Sequence, residues 1–112
     1  MEAKAERFGS CAVITVEGEL DTTTSPDLDA LINEQAQSTP DIYIFGLGDM
    51  EYISSVGLRV FLAHLKKVKA AGGKMILAEL NEEVQEVFEM AGFAPLFEIH
   101  PTLAAAKAAA GI

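Results

Sequence analysis

The sequence predicts an α/β sandwich: a mixed, mostly parallel β-sheet with an antiparallel hairpin strand at its N-terminus and about four α-helices, in the order β-β-α-β-α-β-α-β-α. Three observations predict it. Apolar runs near residues 11 to 16, 42 to 47 and 75 to 80 have strand length, and the first is rich in β-branched residues. Longer segments with apolar residues at helical spacing separate them, opened by capping residues and closed by Gly or Pro. Ile42-Tyr43-Ile44-Phe45 is apolar without interruption, as expected of an inner strand covered on both faces.

Taken in order, Cys11 to Val16 reads as a strand paired with a short first strand around Ala3 to Arg7, with Phe8-Gly9-Ser10 as the hairpin turn. The segment from Glu19 to Asp27 reads as a loop ending in helix-start chemistry: hydroxyl caps, Pro26 in the first turn, and acids facing the positive end of the dipole. Leu28, Leu31, Ile32 and Ala36 share one face of the helix that follows, which should stop near Ser38-Thr39-Pro40. Asp41 to Leu47 is the inner strand, broken by Gly48-Asp49. Met50 to Ile53 continues the loop from Asp49 to Gly57, with Met50 and Tyr52 open to either a recognition role or the core. Ser54 is the candidate N-cap of a helix carrying Leu58, Phe61, Leu62, Leu65 and Val68, and Gly72-Gly73 ends it after Lys66, Lys67 and Lys69. Lys74 to Ala78 is a further strand. Asn81 caps a helix with Val84, Val87, Phe88 and Ala91 inward, closed by Gly92. A strand from Leu96 to Ile99 and an Ala-rich helix from about Pro101 to Ala110 complete a single domain over residues 1–112.

Eight Lys and Arg against 17 Asp and Glu give a formal charge of −9, a repulsive field for nucleic acid and for anionic membrane, so protein partners are expected. The lone Cys11 has no internal disulfide partner, and residues 1–7 lack the apolar core of a signal peptide. Both point to a cytoplasmic protein. No apolar run approaches the ~18 residues of a membrane-spanning helix. His64 and His100 do not stand at metal-ligand spacing, and Gly46-Leu47-Gly48 lacks the rest of a phosphate-binding fingerprint. The serines lack the nucleophile turn of hydrolases, so no catalytic set, metal or cofactor is expected.

In parallel α/β sheets, functional groups collect where loops leave the carboxyl ends of strands and enter helix N-termini. That brings two loops to one end, Glu19 to Ser25 and Asp49 to Gly57. Ser54 and Ser55 stand at a helix start, where unpaired N–H groups and the dipole favour negative charge; either serine also fits a plain cap. Gly57 in the first helical turn costs ~1 kcal/mol relative to Ala, which calls for a close approach by a ligand or by a neighbouring strand. Asp21 is placed to orient a serine hydroxyl, to repel its phosphorylated form, or merely to bond its own turn.

Met50-Glu51-Tyr52-Ile53-Ser54-Ser55-Val56-Gly57-Leu58-Arg59-Val60 resembles the signature of STAS domains, in particular of bacterial anti-sigma factor antagonists, and Gly18-Glu19-Leu20-Asp21 resembles the family's turn before its first helix. The order of elements matches from about residue 8 onward. The resemblance implies a STAS-like sandwich in which Ser55 is the phosphorylated serine, and in which Asp21, Thr22, Ser54, Ser55, Val56, Gly57 and Leu58 meet the partner. It implies an anti-sigma factor with serine-kinase activity as that partner. That kinase binds the unphosphorylated antagonist, releases its sigma factor, and ends the association by phosphorylating the serine; a metal-dependent serine phosphatase resets the cycle. The chain departs from the family pattern at Ser54, often Asp, and at Gly46-Leu47-Gly48, often Asp-Leu-Ser. Two other roles fit the same resemblance or the same helix start: a STAS interaction subunit of a transporter, lipid-trafficking or signalling complex, and a nucleotide or small-ligand binder.

Overall fold

A computed structural model describes all 112 residues. Strand β1 (Glu2–Phe8) turns at Gly9-Ser10 and pairs antiparallel with β2 (Cys11–Leu20), from Phe8 opposite Cys11 to Glu2 opposite Glu17. Gly9 sits at φ +62, a left-handed conformation that glycine enters without steric cost. Helix α1 (Ser25–Ala36) leads to β3 (Ile42–Gly46), and β4 (Met50–Ile53) follows after three residues. The chain then forms α2 (Ser55–Ala70), β5 (Lys74–Ala78), α3 (Glu82–Met90), a 3₁₀ turn at Ala94–Leu96, β6 (Glu98–His100) and α4 (Leu103–Ala110). The sheet runs β1-β2-β3-β5-β6, parallel except for the first pair, and β4 is attached to β2 alone.

Alternation along the central strands divides the core unequally. Ala12, Ile14 and Val16 of β2, Tyr43 and Phe45 of β3, and Met75 and Leu77 of β5 face α1, α2 and α3, which contribute Leu28, Ile32, Leu58, Phe61, Leu65, Val84 and Phe88. Phe45, Phe61, Phe88 and Phe97 form a chain of tilted and edge-to-face contacts with centroids 5.2 to 6.0 Å apart. On the opposite face Cys11, Val13, Ile44, Ile76 and Ala78 pack against Ala106, with only α4 for cover. The uninterrupted apolar run of β3 is therefore that of a strand buried on both sides.

The structure corrects the sequence reading in several places. Met50 to Ile53 is a strand and not part of a loop, so the sheet has six strands where five were expected. Strand β2 continues to Leu20 because its last residues pair with that added strand. The final strand starts at Glu98 and a 3₁₀ turn occupies the residues before it. Ala36 and Ala91 are exposed at their helix ends, where the cylinder has passed the edge of the core.

Candidate functional site

The missed strand builds the site. Strand β4 pairs in parallel with the end of β2, Leu20 opposite Ile53, after a register shift between Gly18 and Glu19. The residues that leave these strands, Asp21 and Ser54, are thus neighbours, and the Ser54 N–H donates to the Leu20 carbonyl at 2.8 Å. Gly57 lies directly over this junction. A Cβ there would stand 2.8 Å from Leu20 Cγ and 3.0 Å from the Leu20 carbonyl oxygen, so the first turn of α2 can rest on β2 only without a side chain. Of the two explanations for Gly57, tight packing by a neighbouring strand is the one the structure bears out.

Ser54 is the N-cap of α2: its backbone is extended, at φ −87 and ψ 169, and its Oγ accepts from the Gly57 N–H at 3.1 Å. This commits Ser54 and leaves Ser55 free. Ser55 is the first helical residue, is exposed, and enters no side-chain hydrogen bond of the chain, whereas Ser54 is half-buried. Val56 and Tyr52 beside it are 36% and 52% exposed, and Thr22 is exposed in the adjoining loop. Two residues expected at the surface are below it. Leu58 is 4% exposed and packs in the main core, and Gly57 is buried against Leu20. Met50 is fully buried, so of the pair left open by the sequence only Tyr52 faces solvent.

Asp21 organises its own loop. Its Oδ1 accepts from the N–H groups of Thr23 and Thr24 at 2.9 and 3.0 Å and from the Thr24 hydroxyl at 3.1 Å, while the Asp21 N–H donates to Thr24 Oγ1. The Thr24 N–H, helped by that hydroxyl and by the Thr23 N–H, holds the carboxyl below the usual carboxylate range against a smaller opposing effect of desolvation. The buried Ser25 hydroxyl donates to the Asp21 carbonyl. The local reading of this aspartate therefore has a full set of bonds behind it.

The four helix starts differ in charge. Helix α1 carries Asp27 in its first turn, α3 carries Glu82 and Glu83, and the Glu79 carboxylate accepts from Leu103 N–H at the start of α4. The first turn of α2 contains no acid. Of the four helix starts, only the one presenting Ser55 has no such carboxylate; the sequence alone does not single it out, because the first turn of α4 also lacks an acid and is answered by Glu79 only in the fold.

A helix start set beside the end of β2, in a mixed sheet with this strand order, defines a class: the chain belongs to the STAS domain family, which it matches over residues 2–106. Among its relatives is BtrV of Bordetella bronchiseptica, whose name carries a proposed role as an anti-sigma factor antagonist. The two are 30% identical over 109 residues, covering 97% of this chain and 94% of BtrV. The anti-sigma-B factor antagonist of Bacillus subtilis is 31% identical over 86 residues, covering 77% of this chain and 78% of that one. Among solved structures, the fold matches the Bacillus anti-sigma factor antagonist SpoIIAA in its unphosphorylated form with a TM-score of 0.83 at 22% identity, over 99% of this chain and 98% of that one. The phosphorylated form of the same protein matches with a TM-score of 0.76 at 21% identity, over 96% and 99%.

Proposed function

We propose that this chain is an anti-sigma factor antagonist that acts as one domain, and that Ser55 is its switch. The reading takes the unphosphorylated chain to bind an anti-sigma factor and free the sigma factor. Phosphorylation of Ser55 by that anti-sigma factor, acting as a serine kinase, ends binding, and a metal-dependent serine phosphatase restores it. The chain is substrate and ligand in this cycle, and the catalytic groups belong to its partners. The cytoplasm is the compartment in which those partners meet it.

The observation that carries this reading is the free, exposed Ser55 hydroxyl at a helix N-terminus without an acid of its own, beside a serine already committed as the cap. An exposed hydroxyl can reach a kinase active site. The ester formed adds ~1.5 to 2 negative charges, which the helix end tolerates within the chain. Seated against a partner, the same charge is desolvated and unpaired unless a cationic pocket awaits it, and either penalty amounts to several kilocalories per mole. Fold survival and loss of docking thus follow from one modification. Tyr52 and Val56 supply apolar contact around the hydroxyl, and Thr22 extends the surface across the neighbouring loop.

Incubation with ATP and a candidate anti-sigma factor kinase, followed by peptide mass spectrometry, tests the assignment. One phosphate is expected, on Ser55, and none on Ser55→Ala. Phosphate elsewhere, still present in Ser55→Ala, overturns the site.

A further inference from the structure

At the opposite ends of α1 and α2 from Ser55, a cleft of about 310 Å³ opens between Ile32, Asn33 and Ala36 of α1, His64, Lys67 and Val68 of α2, and the start of β3. Its floor includes Tyr43. This residue is 4% exposed, yet its phenolic oxygen enters no hydrogen bond of the chain, and none of the fully enclosed side-chain polar atoms lacks a partner. The hydroxyl is therefore not enclosed: it keeps accessible surface towards the cleft and has no partner within the chain. The other polar groups there are differently disposed. His64 Nε2 is held by Asp29 Oδ1 at 2.7 Å, and the Asn33 amide leans on Asp29 Oδ2 at 3.4 Å. Lys67 takes part in no ion pair, and Asp41, exposed at the rim, is the single acid of the lining. Arg7, which hydrogen-bonds Ser38 just past the end of α1, adds a second positive charge near the phenol, working against the upward push that burial gives its pKa.

We propose that this cleft is a binding site for a small aromatic monocarboxylate, whose ring lies between Ile32, Ala36 and Val68 and whose carboxylate accepts from the Tyr43 hydroxyl and pairs with Lys67. The chemistry selects the class. The Tyr43 hydroxyl, which no group of the chain answers, offers a donor to a ligand acceptor, and the unpaired Lys67 of the same lining favours a negative head. The volume holds about ten non-hydrogen atoms at the ~30 Å³ that one water occupies in the liquid. This site is distinct from the helix start of α2, and the inference stands whether or not Ser55 is phosphorylated.

Titration of the isotope-labelled chain with phenylacetate, followed by amide chemical shifts, tests it. Saturable shifts confined to residues 32–43 and 64–73 are expected, with a dissociation constant of about 1 mM, the scale for so small a ligand. Tyr43→Phe, which removes only the oxygen, and Lys67→Gln should each weaken binding about fivefold or more, and phenylacetamide should bind correspondingly worse than the acid. Thermal melts of both variants establish that they are folded. The proposal is overturned by shifts that do not saturate at about ten times that concentration, by shifts centred elsewhere, or by a folded Tyr43→Phe that binds as the wild type does.

Discussion

The loops leaving β2 and β4 lie side by side and each opens a helix, but their polar groups are spent differently. In the first, Asp21 Oδ1 accepts from two backbone N–H groups, the Thr24 hydroxyl proton is shared between that oxygen and the Glu19 carbonyl, and Ser25 is buried with its hydroxyl on the Asp21 carbonyl. In the second, one bond from Gly57 N–H to Ser54 Oγ closes the cap, and the next hydroxyl is left to solvent. A loop whose donors and acceptors answer one another is a fixed wall. A helix start with a spare hydroxyl is a place where chemistry can be done from outside. The contrast sets Asp21 in the wall and leaves the Ser55 hydroxyl open.

The largest disturbance of this arrangement is expected from Gly57→Ala, because both loops meet at Leu20. The new methyl overlaps the fully buried Leu20 side chain and crowds its carbonyl. Overpacking of this kind costs ~1–3 kcal/mol, and the helix-propensity gain of up to ~1 kcal/mol offsets only part of it. Thermal unfolding should move down by about 4 to 8 °C. An unchanged melting temperature would mean that the two loops are not wedged together at this point.

Next in size is the cap. Ser54→Ala removes the oxygen that accepts from Gly57 N–H and should cost ~1 kcal/mol by denaturant titration, whereas Ser54→Asp, an equally good cap, should stay near wild type. The Asp variant also places a carboxylate beside Ser55 where many family members have one. If that acid helps present the hydroxyl, Ser54→Asp is phosphorylated faster than wild type at equal stability.

These two residues also show what the sequence could and could not disclose. Ser54 was readable as a cap because the signal is local: a hydroxyl, then helical spacing of Leu58, Phe61 and Leu65. Strand β4 was not, because its burial runs in-out-out-in over only four residues and its partner lies about thirty residues earlier. Glu19-Leu20 and Met50–Ile53, which supply most of that pairing, read as loop in the sequence, since neither carries a period long enough to stand alone. The family resemblance implies the role of Ser55, and it also places Leu58 at the surface. Its helical spacing with Phe61 and Leu65 points it inward, and there it lies.

A smaller effect is expected from pH, and it separates the loops without touching Ser55. The Asp21 carboxyl titrates below its unfolded value of about 3.9, because the N–H groups and hydroxyl of its turn favour the charged form. With a depressed folded-state pKa, its contribution is complete above that unfolded value and is lost as pH falls from there through the folded one. Asp21→Asn should therefore be less stable than wild type near neutral pH, and the gap should narrow in acid. Glu98, held low by the hydrogen bond from His100 and then by Lys74, titrates in a similar direction in both proteins and cancels from the comparison. A gap that is constant with pH would show that the turn needs the oxygen and not the charge.

Ser55 itself should matter least to the fold. Ser55→Ala removes a solvated hydroxyl that bonds nothing, so stability should change by no more than ~0.5 kcal/mol, as for exposed positions generally. Ser55→Asp brings a charge to the positive end of α2, whose first turn has none, and should hold or raise stability by ~0.3–1 kcal/mol at low salt. Calorimetry against the anti-sigma factor should give the opposite ranking: near wild-type affinity for Ser55→Ala, and a loss of about tenfold or more for Ser55→Asp, because a charge easily carried by an open helix end is dehydrated under a partner. A fold indifferent to residue 55 and a complex sensitive to its charge are what separate this helix start from the fixed loop beside it. Equal affinities for the two variants would erase that separation, and with it the charge mechanism.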